Sequence, residues 1–259
     1  MRARRSRRLG DVGTGAGSGR CGYCVSSTSA TPGVHPVADN TDTCLVVPLY
    51  NEGSVVGDVI SAALAVFPRI VVVDDGSSDD SAAVARRAGA LVVEHPLNLG
   101  QGAALQTGFE AARLLGAEYV VTFDADGQHR TDDAAAMVER LRQDDADVVL
   151  GSRFLDGRTR PGALKQAVLK AAVLYSNLTT GVRLTDTHNG LRALNATALA
   201  TLRIRQNRMA HASEIIEQIG RSGLRWVEHP VHIVYSDYSR SKGQSVLNAV
   251  NIVTEQLYR

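Results

Sequence analysis

From residue 43 onward the chain alternates short, continuously apolar runs with longer amphipathic stretches. The apolar runs have the length of strands, whereas the stretches between them repeat their apolar residues at helical spacing. The predicted strands are 44–49, 70–73, 91–94, 119–123 and 147–150. The predicted helices are 53–67, 78–88, 100–115 and 132–142. Apolar strands separated by helices form a parallel sheet covered on both faces, so we predict an α/β sandwich with a mostly parallel central sheet.

Chain length and charge narrow the class of protein further. The 259 residues suffice for one α/β domain of ordinary size. With 28 basic and 27 acidic side chains the net charge is +1, so we expect no nucleic-acid partner. No stretch approaches the roughly 20 uninterrupted apolar residues that a membrane-spanning helix needs. The expected location is the cytoplasm, with peripheral contact or a small membrane partner at the inner face of the cell membrane as an open alternative.

The two ends of the chain differ in composition from the alternating region. Residues 1–42 begin with a basic run and continue with Gly, Ser and Thr, a composition that cannot repay the entropy of ordering, so we predict a disordered segment there. Residues 43–245 form the predicted domain. Residues 246–259 place apolar side chains on one stripe and are predicted to form an amphipathic helix.

Polar side chains follow three of the predicted strands at the point where each strand ends. Tyr50 and Glu52 come after the first strand, Asp75 after the second, and Asp124 and Asp126 after the fourth. Ligands of parallel α/β sheets bind at the carboxyl ends of the strands. We therefore expect these side chains to gather at one edge of the sheet.

The acidic pair at the fourth strand end predicts a metal site. Asp124 and Asp126 repel one another unless they share a cation, and Gln128 adds a neutral oxygen. Oxygen ligands of this kind suit Mg²⁺ or Mn²⁺, which leave coordination positions for water and phosphate. Such an ion can neutralise a leaving diphosphate as a Lewis acid. Nearby, the ring of Tyr50 can pack on a nucleobase while the carboxylate of Asp75 accepts an N–H.

A dinucleotide-dependent oxidoreductase is a different class that uses a related sheet. It would need a Gly-x-Gly-x-x-Gly turn after the first strand, and residues 48–53 lack that pattern. The oxidoreductase hypothesis is therefore set aside. A non-catalytic module that binds a nucleotide-sugar stays open as an alternative.

Five segments occur in an order and spacing that carry a resemblance to a known family. They are Val47-Pro48-Leu49-Tyr50-Asn51-Glu52, Val73-Asp74-Asp75-Gly76-Ser77, Asn98-Leu99-Gly100-Gln101-Gly102, Asp124-Ala125-Asp126-Gly127-Gln128-His129 and Gly151-Ser152-Arg153. The region they span resembles family 2 glycosyltransferases with the GT-A fold. More narrowly, it resembles the polyprenyl-phosphate glycosyltransferases, the group that contains dolichyl-phosphate mannose synthase.

The resemblance implies roles for individual side chains. The residues that would contact the nucleotide are Pro48, Tyr50, Glu52, Asp75 and Asp124. The residues that would hold the metal and the diphosphate are Asp124, Asp126 and Gln128. The residues that would meet phosphate are Arg153 and, in a basic loop over the active site, Arg240 and Lys242. The implied donor is a UDP- or GDP-sugar, and the sequence leaves its base and sugar open.

The implied reaction is inverting transfer of a sugar to a polyprenyl phosphate, with Asp126, Arg153 and Asp186 as the catalytic residues. A lipid phosphate is already ionised at neutral pH and needs no general base, whereas a hydroxyl acceptor does. Asp186 or His188 remains an alternative base, so transfer to a hydroxyl acceptor of a polysaccharide or other glycan stays open.

Overall fold

The computed structural model describes residues 40–143, 146–155, 182–186 and 189–234 of the chain. The predicted C-terminal helix at 246–259, most of the predicted disordered segment, and the site residues His188, Arg240 and Lys242 lie outside these ranges. Residues 40–42 pack on the domain: the Asn40 amide donates to the Val66 carbonyl at 3.0 Å, and Arg142 pairs with Asp42 at 2.6 Å.

Seven strands and six helices make up the described part of the domain. The strands are β1 Thr43–Leu49, β2 Arg69–Asp74, β3 Leu91–Glu94, β4 Tyr119–Thr122, β5 Val148–Ser152, β6 Arg192–Asn195 and β7 Trp226–Pro230. The helices are α1 Val56–Leu64, α2 Ser81–Arg87, α3 Gln101–Leu114, α4 Thr131–Gln143, α5 Ala196–Thr201 and α6 His211–Ser222. The alternation of strands and helices predicted from the sequence is confirmed.

The strands form one sheet in the order β3-β2-β1-β4-β6-β5-β7. All neighbouring pairs are parallel except those of β6, which runs antiparallel to both β4 and β5. The mostly parallel sheet is therefore confirmed. The reversed strand in its middle brings the start of β6 to the edge at which the other strands end.

Each face of the sheet carries its own apolar core, because successive side chains of a strand point to opposite faces. In β1, Leu45 and Val47 face a core formed with α1, α2 and α4, whereas Cys44 and Val46 face a core formed with α3, α5 and α6. Full burial of one large apolar side chain contributes about 1.5–3 kcal/mol. Burial also raises the pKa of the Cys44 thiol to about 11, so this cysteine is a neutral core residue at physiological pH.

The direction of strand addition changes between β1 and β4. The chain adds β2 and then β3 on one side of β1, and afterwards places β4 on the other side. Pairing of β1 with β4 ends at Val46 and Thr122, and Pro48 follows on the side of β1 that faces β4. Proline has no N–H to continue the ladder. A crevice at such a switch point is where open α/β sheets bind ligands, and this places the site beyond the ends of β1 and β4.

Candidate active site

The loops that follow β1 and β2 are locked to one another. Asn51 has a positive φ of 53°, and its side-chain oxygen accepts the Ser78 N–H at 2.8 Å. The backbone N–H of Glu52 donates to Ser81 Oγ at 2.9 Å. The Gly53 N–H donates to Asp79 at 3.2 Å. Helix α1 begins at Val56, three residues after the start that the sequence pattern predicts, and the Glu52 carbonyl accepts the Val55 and Val56 N–H groups in the turn before it.

Tyr50 and Asp75 lie next to each other at the edge of the sheet. Tyr50 directly follows β1 and is 47% exposed, so its ring is open to a ligand. Asp75 directly follows β2, its backbone N–H donates to the Leu49 carbonyl at 2.8 Å, and its side chain is buried. The two predicted nucleotide-binding residues are thus brought together. Pro48 lies near the end of β1, and Glu52 lies in the connection between β1 and α1.

The N-terminal end of α3 connects Asp75 with Asp124 across the crevice. The Gly100 N–H donates to Asp75 Oδ2 at 2.7 Å, and the Gln101 amide donates to Asp124 Oδ1 at 3.3 Å. A Cβ on Gly100 would lie 2.3 Å from the Asn207 carbonyl oxygen, so only glycine fits there. Two adjacent residues, Gly100 before α3 and Gln101 at its start, thus contact two acids that are 49 positions apart in the chain.

Asp124 is held in place by groups that the sequence did not single out. The Nε2 of His129 lies 2.9 Å from Asp124 Oδ2 and must donate, because an ionised carboxylate only accepts. Desolvation acts to raise the pKa of Asp124, but the hydrogen bond from His129 and the nearby His129, Arg192 and His211 side chains hold it below its usual value. Asp124 is therefore ionised at neutral pH.

Asp126 has the opposite electrostatic environment. Partial burial and the charge of Asp124 raise the pKa of Asp126 above its usual value, against hydrogen bonds from Gln128 that lower it. The Gln128 backbone N–H and side-chain amide donate to the two oxygens of Asp126 at 3.0 and 2.5 Å. The predicted metal-binding residues are thus brought together in one turn.

The donor set suits a divalent cation that also binds a ligand. Within the described ranges no three His, Cys, Asp or Glu side chains are clustered as metal ligands. The candidate ligands in this turn are the two carboxylates and the Gln128 side-chain oxygen. Mg²⁺ and Mn²⁺ accept such incomplete oxygen sets because waters and phosphate oxygens fill the remaining positions. Burial and, after it, the charge of Asp124 raise the pKa of Asp126, and a bound cation would stabilise its ionised form against both effects.

Arg153 and Asp186 form a bidentate ion pair. Arg153 follows β5 and donates through Nε and Nη2 to the two oxygens of Asp186, at 2.6 and 2.8 Å. The Asp186 side chain is only 1% exposed, whereas that of Arg153 is 13% exposed. The pair fixes the guanidinium plane near the sheet edge, and it engages both oxygens of the carboxylate that was considered as a general base.

Arg192 is a buried cation at the centre of the site that the sequence analysis did not assign. It opens β6, is 3% exposed, and interacts electrostatically with Asp124 and Asp186. Burial lowers the pKa of Arg192 to about 10, and the two carboxylates act to raise it. Arg192 therefore keeps its positive charge at neutral pH and balances the acidic groups on either side. Arg192 lies near Asp124 because β6 runs in the reverse direction, and no local sequence pattern predicts that direction.

The chain segment after β7 returns to the acidic turn. The Val234 N–H donates to the Gln128 carbonyl at 2.9 Å, and the His232 N–H donates to the buried carboxylate of Asp133 at 2.7 Å. Residue 234 is the last one described before the predicted basic loop with Arg240 and Lys242. Val234 therefore lies beside the turn that carries the candidate metal ligands.

Comparisons with known proteins identify the family of this chain and several relatives. Residues 44–193 match the family model described as glycosyl transferase family 2. An uncharacterized protein of Methanocaldococcus jannaschii is 33% identical over 81% of this chain and 88% of its own. The UDP-N-acetylglucosamine–dolichyl-phosphate N-acetylglucosaminyltransferase of Methanococcus voltae is 30% identical over 78% of this chain and 90% of its own.

A solved structure with a similar fold is glucosyl-3-phosphoglycerate synthase from Mycobacterium tuberculosis, crystallised with Mn²⁺, UDP-glucose and phosphoglyceric acid. Its TM-score is 0.64 at 21% identity, covering 85% of this chain and 80% of that one. At this identity the likeness concerns the fold. The predicted sandwich architecture is thereby confirmed.

Proposed function

Since the chain belongs to glycosyl transferase family 2, we propose that it moves a sugar, with inversion, from a nucleotide-sugar to a polyprenyl phosphate. The Methanococcus voltae relative, whose name specifies a dolichyl-phosphate acceptor, supports this choice of acceptor class. In the described ranges no helix is long and apolar enough to cross a membrane. In the proposal the domain meets its lipid substrate at the membrane surface, through peripheral contact or a small membrane partner.

The donor side of the proposal rests on the edge of the sheet beyond β1, β2 and β4. Tyr50 and Asp75 would receive the nucleobase, with Pro48 and Glu52 beside them. A divalent cation on Asp126, Asp124 and Gln128 would supply Lewis-acid stabilisation of the departing nucleoside diphosphate. Positively charged or donating groups around Asp124 already offset its charge, whereas burial and the neighbouring Asp124 raise the pKa of Asp126, so Asp126 would be the main protein ligand.

The acceptor side rests on the ion pair between Arg153 and Asp186, and this is the observation that carries the proposal. Arg153 holds both oxygens of Asp186, which is buried, so this carboxylate is not disposed to remove a proton from a hydroxyl acceptor. A phosphate acceptor needs no proton removed. In the proposal Asp186 orients Arg153, and Arg153, with Arg240 and Lys242, offsets the charge of the acceptor phosphate.

The test offers UDP- and GDP-sugars with Mn²⁺ to the full chain, together with either a short polyprenyl phosphate or a soluble sugar. We expect a lipid-linked product and free nucleoside diphosphate. The variant Asp126→Asn should lose at least about 100-fold in rate, as expected when a metal ligand at the reacting phosphate is removed. The matched control Asp132→Asn changes an exposed carboxylate on α4 and should retain the wild-type rate.

Two outcomes would overturn the proposal in different ways. Exclusive transfer to the soluble sugar would defeat the lipid-phosphate acceptor and favour a hydroxyl acceptor. Absence of turnover with every donor, together with equal behaviour of the Asp126→Asn variant, would defeat catalysis and favour a nucleotide-sugar-binding module.

A further inference from the structure

We propose that the nucleotide pocket selects a base that offers a single N–H donor on its pairing edge, as uracil and thymine do, over guanine, which offers two. This inference rests on the proposed function, because it concerns the donor of that reaction. It deepens that function by naming the nucleotide. The inference rests on the hydrogen bonds that the protein itself already makes to the carboxylate of Asp75.

Three hydrogen bonds from the loop between β3 and α3 converge on the Asp75 carboxylate. Its Oδ1 accepts the Leu99 N–H at 2.9 Å and lies 2.8 Å from His95 Nδ1. Its Oδ2 accepts the Gly100 N–H at 2.7 Å. Because an ionised carboxylate only accepts, His95 Nδ1 carries the proton and donates it. Each carboxylate oxygen has two acceptor positions, so the described part of the chain fills Oδ1 and leaves one position on Oδ2.

The occupied positions are not free to rearrange. The second ring nitrogen of His95 lies 3.0 Å from Thr107 Oγ1, which fixes the ring between α3 and Asp75. Gly100 has a φ of 105°, a backbone conformation that side-chain-bearing residues rarely adopt, and it packs against the Asn207 carbonyl. Gly76 has Leu97 and Asn98 so close that a Cβ there would lie 2.6 Å from the Leu97 carbonyl carbon. The loop therefore presents Asp75 to a ligand as an acceptor of one further hydrogen bond.

Nucleobases differ in how many donors they present to such an acceptor. The pairing edge of guanine has two adjacent donors, N1–H and the N2 amino group, which a carboxylate satisfies with one oxygen each. Here the second of those donors would face the filled Oδ1 and stay unpaired in a desolvated position, which is costly. Uracil has one donor, N3–H, which the open position on Oδ2 can accept. A site that leaves a polar group unpaired rejects that ligand strongly.

The first experiment measures the affinities of UDP and GDP for the wild-type chain by titration calorimetry, with Mn²⁺ present throughout. We expect UDP to bind at least about tenfold more tightly, since one unpaired donor is enough for such a ratio. Equal affinities, or tighter binding of GDP, would overturn the inference and leave the proposed transferase function intact. Binding of neither nucleotide would instead count against the nucleotide-sugar donor itself.

A pair of variants tests the stated cause of the selectivity. His95→Leu removes one donor from Oδ1 and opens a second acceptor position, so the ratio of UDP to GDP affinity should fall several-fold toward one. His95→Asn keeps an N–H donor at the place of Nδ1 and should keep the wild-type ratio. Thermal unfolding of both variants shows whether they are folded, and the wild-type ratio tests the inference even if His95→Leu does not fold. If folded His95→Leu and wild type have the same ratio of UDP to GDP affinity, the number of open acceptor positions on Asp75 does not determine the selectivity.

Discussion

At the scale of single residues, the site depends on a glycine whose lack of a side chain makes room for Asp124. Gly190 precedes β6, and a Cβ at this position would lie 2.6 Å from Asp124 Oδ2. The Gly190 carbonyl also accepts a hydrogen bond from the Thr122 hydroxyl, and the same hydroxyl accepts the Arg192 N–H at 3.1 Å. Thr122 thus holds the start of β6 against the end of β4. Because Gly190 has no side chain, the Asp124 carboxylate fits beside it.

The substitution Gly190→Ala should therefore displace the Asp124 carboxylate from His129 and Gln101. We expect a loss of at least about tenfold in transfer rate and a destabilisation of about 1–3 kcal/mol, the usual range for a forced close contact. The measurements are the rate with saturating donor and the midpoint of urea unfolding.

The control for this variant is Gly57→Ala inside α1. A Cβ there would approach only the end of the Val84 side chain, at 3.0 Å, and alanine is the better helix former. Gly57→Ala should keep the wild-type rate. An unchanged rate in Gly190→Ala as well would show that the position of Asp124 is not critical.

Individual residues also show where sequence reasoning succeeds and where it fails. Acids that follow predicted strands were found because strand ends can be located from local apolar patterns. Arg192 and His211 were not assigned, because their proximity to Asp124 depends on chain segments about 70 and 90 positions further along. His129 had a visible signal, since it follows Asp124 by five residues within one turn, but its role as a hydrogen-bond donor needed the geometry.

At the scale of elements, α4 connects the acidic turn with the segment that follows β7. Asp133 lies in the first turn of α4 and is buried, and its carboxylate accepts the His232 N–H at 2.7 Å. Asp132, its neighbour on the same turn, is exposed and paired with Arg130. One acid of this turn therefore holds another part of the chain, and the other does not.

The substitution Asp133→Ala should release the segment that leads toward Arg240 and Lys242. We expect the melting temperature to fall by a few degrees, since a hydrogen bond to a charged group contributes about 1.5–3 kcal/mol. In the proposed reaction the KM for the lipid phosphate should rise several-fold while the KM for the donor changes little. Steady-state kinetics with each substrate varied in turn measures both values.

The matched control Asp132→Ala should leave the melting temperature and both KM values near wild type. A lowered melting temperature in Asp133→Ala without any change in the acceptor KM would limit this contact to a structural role. A rise in the donor KM alone would place the segment on the donor side instead.

The predicted bounds of strands and helices agree with the structure where the apolar pattern of the element determines them. Residues 91–94 were predicted as a strand and are β3. Strands β1, β2, β4 and β5 differ from prediction by one or two residues at an end, and β6 and β7 were not predicted. The direction of β6 was not predictable, because a strand of four residues carries no local signal for parallel or antiparallel pairing. Helix α1 begins three residues later than its apolar pattern predicts, after a turn in which the Glu52 carbonyl accepts the Val55 and Val56 N–H groups.

At the scale of the whole molecule, a buried histidine makes stability depend on pH. His211 is 4% exposed, and its Nδ1 donates to the Arg208 carbonyl at 2.7 Å. Burial, together with the charge of Arg192, lowers the pKa of His211 to about 4, well below its value near 6.5 in an unfolded chain. Between these two values the unfolded chain binds a proton that the folded chain does not.

The contribution of His211 to stability is therefore complete above pH 6.5 and is lost progressively as the pH falls toward 4. At pH 5 the loss is about 2 kcal/mol relative to pH 7.5. His211→Asn keeps an N–H for the Arg208 carbonyl but cannot be protonated in this range. Urea unfolding at pH 7.5 and pH 5 should show a smaller loss of stability for the variant than for wild type. The same loss in both would assign the acid sensitivity to other groups.

The reversed strand β6 has a consequence for how the molecule can come apart. It contributes only four residues, yet it lies between β4 and β5 and is the connection through which β5 and β7 join the rest of the sheet. Strand β6 also begins with Arg192, which interacts electrostatically with Asp124, and it comes shortly after Gly190, which packs against the Asp124 carboxylate. Any local unfolding that detaches β6 therefore divides the sheet and dismantles the acidic site in the same event. Unfolding of β6 cannot disrupt the site while leaving the seven-stranded sheet intact.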